Sequence, residues 1–307
     1  MFETLLSVLP IFGLVVTGFI AKRLLPSSDL WKGIEALVYY LFFPILLILE
    51  VSKANFAEPG LFGALMATFI ATLMIGAVLF PIKRIFNIEN TLFTSIFQGG
   101  TRYNSYVFLA LSQSLFGSNG IIIAGVFMAY MIITINILCI SVLNLYGSNQ
   151  SGKKSVAGIL WALLKNPLIV GVLLGILANF LNITFTGPIK QWMLYLGSTA
   201  TPLSLMSVGA GLIIMMDAKK MGAVSFAIIL KLLAMPAITL LILQILNVSG
   251  TTAGVALLFA TMPSAGNAYI LSRQMGGDSD AMASMITWST LLSIMTIPLI
   301  MGSSGYY

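Results

Sequence analysis

Long runs of apolar residues, cut by short clusters of Gly, Pro and charge, divide the chain. They predict ten helical spans at about 5–24, 30–52, 60–81, 90–116, 119–145, 156–181, 187–215, 222–247, 251–275 and 280–303. No run shows the alternation of a half-buried strand. The first span follows Met1-Phe2-Glu3 with no basic region or small-residue cleavage site, so it is read as a retained helix.

Composition agrees: 59% of residues are hydrophobic and 8% are charged, against about 25% charged in soluble domains. Lipid must therefore cover the outer surface. The chain has no histidine and a single cysteine, Cys139, which removes histidine triads, His/Cys metal sites and disulfides. The fifteen basic residues are scattered, so no nucleic-acid surface is expected. Ten of them (Lys22, Arg23, Lys32, Lys83, Arg84, Lys153, Lys154, Lys219, Lys220 and Arg273) lie around odd-numbered connections, and two, Lys53 and Lys190, around even-numbered ones. By the positive-inside rule both termini are outside and the 148–155 loop is cytoplasmic.

The halves repeat. Pro10 pairs with Pro167 at an offset of 157, Pro44 with Pro202 at 158, and Asn104-Ser-Tyr106 with Asn267-Ala-Tyr269 at 163. Five spans per copy is odd, so the second copy enters the membrane from the opposite side. The expected fold is an all-α polytopic membrane protein of two inverted five-helix repeats, residues 1–147 and 156–307, joined by a linker at 148–155. The fourth and ninth spans carry interruptions, Gln98 to Asn104 and Thr261 to Asn267. Broken helices in equivalent places of inverted halves point to a midplane site.

Arg102 stands at one interruption. A guanidinium there costs at least ~2.5–3.5 kcal/mol on insertion scales, and no acidic residue lies mid-span to pair with it. Either it receives an anionic substrate with Asn104 and Asn267, or it bonds carbonyls freed by the break. Lys231, five residues before Pro236, either snorkels to an interface or meets substrate. Lys165 offers a weaker version of the same choice. Thr201, Ser204 and Ser207 around Pro202 form a candidate polar path. Gly171 and Gly175 suit helix packing more than dimerisation. Gly147 to Lys153 resembles a phosphate-binding loop, but Lys154 occupies the magnesium-binding hydroxyl position and no strand precedes it. Transport powered by ATP is thus not expected.

Several stretches together resemble bacterial members of the auxin efflux carrier family: Arg102-Tyr-Asn104-Ser-Tyr-Val, Asn166-Pro-Leu-Ile, Leu196 to Gly209, Lys231-Leu-Leu-Ala-Met-Pro236, Met262-Pro-Ser-Ala-Gly-Asn267-Ala-Tyr, and Gly276-Gly-Asp278. The resemblance spans essentially the whole chain. It implies the fold shared with bile acid sodium symporters and sodium/proton antiporters, the fourth and ninth spans crossing at their breaks. Spans 1, 2, 6 and 7 would form a scaffold, and 3–5 and 8–10 a domain moving by elevator-like alternating access. Asn104 and Pro263 would then lie at the crossing, where a carboxylate is held. Plant relatives have a proline at the fourth-span crossing; this chain has Gly99-Gly100 instead and lacks the plant proteins' long loop.

The functional expectation is a secondary transporter of small organic anions, carboxylates above all. The alternative is a ligand-sensing membrane protein that keeps a carrier fold; an enzyme is not expected. Substrate-binding candidates are Arg102, Tyr103, Asn104, Pro263, Ser264, Asn267 and Tyr269, with Thr201, Ser204 and Lys231 ranked lower. No cofactor is expected beyond a possible sodium ion near Thr261, Ser264 and Asn267. The expected surroundings are the bacterial inner membrane, with a homodimer possible. With no histidine and no mid-span carboxylate, built-in proton chemistry is not expected.

Overall fold

A computed structural model describes residues 2–53, 58–149, 157–158, 161, 165–213 and 219–306. Among them the chain is helical throughout, with no strand. The elements are α1 (Phe2–Leu24), α2 (Ser28–Leu37), a π turn (Val38–Phe42), α3 (Phe43–Val51), α4 (Leu61–Ile85), α5 (Asn90–Thr101), α6 (Ser105–Tyr146), α7 (Pro167–Phe180), α8 (Gly187–Ala210), α9 (Met221–Ile229), a second π turn (Leu230–Ala234), α10 (Met235–Ile245), α11 (Gly250–Thr261), α12 (Asn267–Met275) and α13 (Ser279–Ser303). Lys153, Lys154 and most of the expected linker lie outside the described residues, as do the start of the sixth span and the end of the seventh.

Six described stretches are long and apolar enough to cross a bilayer: Leu5–Leu24, Ser28–Val51, Leu61–Ile85, Asn90–Tyr146, Met221–Ile245 and Ser279–Ser303. The protein is therefore a multi-pass membrane protein. Helices α7 and α11 are apolar but shorter. In α8, Lys190, Gln191 and several hydroxyl residues dilute the hydropathy.

Local chemistry explains the irregular points. Both π turns precede a proline, Pro44 and Pro236, which has no N–H to continue the α-helical ladder. The chain closes instead through wider bonds, from Phe43 N–H to the Val38 carbonyl and from Met235 N–H to the Leu230 carbonyl. Three helices end on a left-handed asparagine: Asn87 after α4, Asn182 after α7 and Asn247 after α10. In each, the next N–H reaches back to a carbonyl of the last turn, Ile88 to Lys83 at 3.0 Å, Ile183 to Ala178 at 2.8 Å and Val248 to Leu243 at 2.9 Å. Gly117 (φ 60°, ψ −147°) turns the chain inside α6, bringing Gly120 against the Ser112 backbone. The expected separation between the fourth and fifth spans is thus a one-residue turn.

Two groups of helices pack together. In one, α1 lies on α8, and α3 on α7 and α8. Here backbones touch: Gly209 against Val15, Gly18 against Met206, and Gly171 against Pro44. Gly175 meets Leu47 and Val51, so the Gly171/Gly175 pair serves internal packing, as expected. In the other group, α4 packs on α10 and α11, α11 on α6, and α5 on α6 and α13.

Candidate functional site

The two interruptions meet. Helix α5 stops where Arg102 turns extended (φ −73°, ψ 153°), and α6 restarts behind Asn104, whose Oδ1 accepts from Tyr106 N–H at 3.1 Å and Val107 N–H at 3.2 Å. Asparagine at an N-cap satisfies donors that have no partner in the preceding turn. The glycines Gly99 and Gly100 stay helical, so they are not the break. They admit neighbours instead, Gly99 facing Met285 and Gly100 facing Leu79 and Ile75. Helix α11 stops before Met262 (φ −66°, ψ 140°), and α12 starts at Asn267.

Each break satisfies the other. Asn104 N–H donates to the Pro263 carbonyl at 2.8 Å, and Ser264 Oγ donates to the Gly99 carbonyl at 2.7 Å. Ser264 N–H donates to Ser289 Oγ at 3.1 Å. Non-helical backbone at membrane depth requires such partners. Behind the crossing, Tyr103 packs on Phe259 with ring centroids 4.4 Å apart, and on Phe108 at 5.8 Å.

Arg102 is buried beside this crossing. Its Nε donates to Gln98 Oε1 at 3.2 Å and its Nη2 to Asn136 Oδ1 at 2.9 Å. Both partners are neutral side-chain amides, so it is not the carbonyl-satisfying residue considered from sequence. Gln98 Nε2 in turn donates to Ser272 Oγ at 2.9 Å, which ties α5 to α12.

Arg102 lines a cavity of about 40 Å³ together with Tyr39, Ser105, Asn136, Asn166 and Asn267. Tyr103 and Ala265 also border it, and its lining contains no carboxylate. A single water needs roughly 10–15 Å³ on this measure, so a few water-sized positions are present.

Sequence-chosen residues therefore separate. Arg102, Tyr103 and Asn267 border the cavity; Asn104, Pro263 and Ser264 build the crossing beside it. Tyr269 is directed elsewhere, its ring 5.9 Å from the Arg273 guanidinium. Ser204 is buried in α8, donating to the Thr201 carbonyl at 2.8 Å, and neither residue borders the cavity. Ser207 donates to Glu35 at 3.0 Å. Near the cation position considered from sequence, Thr261 Oγ1 already donates to the Leu258 carbonyl at 2.7 Å. Lys231 does not snorkel: its side chain is fully buried within the bundle.

Gln98 and Asn136 are the site residues missed as ligands to Arg102. Asn136 had a readable signal, a lone amide inside Ile-Ile-Thr-Ile-Asn-Ile-Leu, because a polar side chain at membrane depth needs a reason. Tyr39 had none, since aromatic residues are common throughout these helices.

An arginine-lined cavity beside two crossing broken helices of a multi-pass bundle is the arrangement expected of a membrane transport protein. The chain belongs to that family: residues 4–301 match the family described as "Membrane transport protein", which is the auxin efflux carrier family indicated by the sequence. A protein of Rhizobium meliloti (strain 1021) named "Putative malonate transporter" is 24% identical over 296 residues, covering 94% of this chain and 92% of the relative. Family membership makes the protein a transporter rather than an enzyme.

Proposed function

We propose that the protein is a secondary carrier of small organic anions, with short dicarboxylates of the malonate class as the first substrates to test. The observation that carries this reading is the Arg102 guanidinium in the cavity, bonded only to neutral amides. Guanidinium has five N–H donors, and two of Arg102's are engaged. The remainder are available to a carboxylate, which this geometry suits. The start of α12 at Asn267 adds the positive end of a helix dipole beside the same space. The name of the Rhizobium relative favours a short acid over a bulky one.

In this reading the ten spans form two inverted five-helix repeats. Support comes from α5 and α11, each 12 residues long and starting 160 positions apart. Immediately before them, Ile85-Phe-Asn-Ile88 and Ile245-Leu-Asn-Val248 share a left-handed asparagine and the same backward bond. The turns at Gly117 and Gly276, both at positive φ, fall 159 positions apart. Spans 1, 2, 6 and 7 are the scaffold, and 3–5 and 8–10 carry the site by elevator-like movement across a bacterial inner membrane, both termini outside. The packing into two groups supports that division. The proposed cycle uses no cofactor.

The test is uptake of labelled malonate and other mono- and dicarboxylates into liposomes holding the purified protein. Arg102→Ala removes at least two charge-assisted contacts to a bound carboxylate, each worth about 1.5–3 kcal/mol. Uptake should fall at least a hundredfold while the variant remains folded and monodisperse. Wild-type uptake by Arg102→Ala would reject the site.

A further inference from the structure

Lys231 has a setting that anion binding at Arg102 does not explain. It lies in the π turn ahead of Pro236, and none of its side chain reaches the surface. Its Nζ donates to the Met235 sulfur at 3.1 Å and stands 5.9 Å from the centre of the Phe259 ring. A thioether is a weak acceptor, whereas an ammonium brings three donors.

Among the described residues, no carboxylate is paired with it. The π turn packs against α4, α5, α9, α10, α11 and α13. Helices α9, α10 and α11 carry no titratable residue. Helix α4 offers Lys83 and Arg84 in its last turn, and Lys83 lies over the Phe93 and Tyr146 rings. Helix α13 offers Asp280 in its first turn, where it is exposed. Beyond α5 come Arg102 and Tyr103, the latter packed at a tilt on the same Phe259 ring that Lys231 faces. Sealed from solvent, with one weak acceptor, an aromatic ring and no carboxylate bonded to it among the described residues, the Lys231 side chain is poorly provided for as an ammonium.

We propose that Lys231 is a proton-carrying site: its amine takes up one proton when an anion occupies the Arg102 cavity and releases it after the anion leaves. Each anion thereby crosses with one proton. The proposal rests on the reading of that cavity as an anion site. The step is R–NH₂ + H₃O⁺ → R–NH₃⁺ + H₂O, reversed on the far side, with no other bond changed. An arriving dicarboxylate brings net negative charge into a poorly screened interior, which favours the ammonium. Phe259 neighbours both Lys231 and Tyr103 and so links the amine to the crossing through one ring.

The experiment uses liposomes with membrane potential clamped at zero by valinomycin and equal potassium. With one proton per anion, a gradient of one pH unit, alkaline inside, should accumulate malonate about tenfold in the wild type. Lys231→Met, similar in length and free of charge, should still bind malonate, read as a thermal shift, and still exchange labelled for unlabelled malonate. It should lose all accumulation above equality. Accumulation by Lys231→Met to the wild-type level overturns the proposal. A second readout needs no variant: in weak buffer, adding malonate to wild-type protein should take up about one proton per bound anion, and no uptake rejects the idea. Wild-type protein that moves malonate indifferently to the pH gradient sinks the lysine proposal alone. Protein that binds and moves no carboxylate sinks the anion-carrier reading and this proposal with it.

Discussion

Replacing Asn136 by Asp tests whether Arg102 is kept uncompensated for the benefit of a ligand. The two side chains have the same shape, and Asn136 Oδ1 is already 2.9 Å from Arg102 Nη2. The substitution therefore installs a carboxylate against the guanidinium without moving the backbone. Two unit charges about 4 Å apart attract by roughly 4 kcal/mol at an effective dielectric constant near 20. A substrate carboxylate must then compete with that resident charge. If only half of the attraction survives the desolvation of the new carboxylate, about 2 kcal/mol remains, which weakens malonate by roughly thirtyfold; the whole would weaken it nearly a thousandfold. Stability should hold or rise, because a buried cation gains a partner. Malonate-dependent thermal shift and liposome uptake measure the two effects separately. Wild-type affinity in folded Asn136→Asp protein would refute the reasoning, since it would show that the charge of Arg102 is not what the substrate meets.

Two further predictions concern the frame around the site. A methyl group on Gly209 would run into the Val15 backbone, whereas one on Gly13 meets nothing within 4 Å. Gly209→Ala should cost about 1–3 kcal/mol by forcing α1 from α8, and Gly13→Ala should gain up to about 1 kcal/mol from helix propensity; opposite shifts in the unfolding temperature, followed by tryptophan fluorescence, are the expected outcome. At Asn247 (φ 52°), Asn247→Gly should be neutral or better and Asn247→Ala should destabilise by about 1 kcal/mol, measured in the same assay; equal midpoints for the two would contradict a left-handed cap.

The elements that sequence periodicity revealed best were those whose register is set by lipid. Apolar runs such as 60–81 and 222–247 reappear as α4 and as α9 to α10, because burial of backbone and exposure to hydrocarbon leave few alternatives. The breaks were legible from composition but not to the residue. Gly99 and Gly100 looked like the interruption, yet helix continues through them and stops at Arg102, where Asn104 offers a cap. Pairing Asn104 with Asn267 placed the halves at an offset of 163, while α5 and α11 start 160 apart. The second break is longer, so side-chain likeness on its far side shifts against the helices on its near side. Snorkelling was one of two readings open for Lys231, because a lysine ten residues into a span normally reaches an interface. Only the packing of α11 over it shows that the amine is sealed.

The cavity's walls carry a further implication for how such a site can work. Arg102 comes from the break between α5 and α6, Ser105 and Asn136 from α6, and Asn267 from α12, and Arg102 is tied to α12 through Gln98 and Ser272. The opposite wall comes from the other helix group: Tyr39 from the first π turn, Asn166 capping α7, and Leu168 within it. The Arg102 charge thus belongs to one group and the facing surface to the other. A charge shared between both groups would bind them together through the substrate and oppose their sliding. In the proposed carrier, with the guanidinium and its amide partners confined to one side, that group would hold an anion while its contacts with Tyr39 and Leu168 are exchanged for others. Those two contribute an aromatic ring and an aliphatic chain, which form no salt bridge that movement would have to break. The wall without charge is therefore as informative about carriage as the wall that carries Arg102.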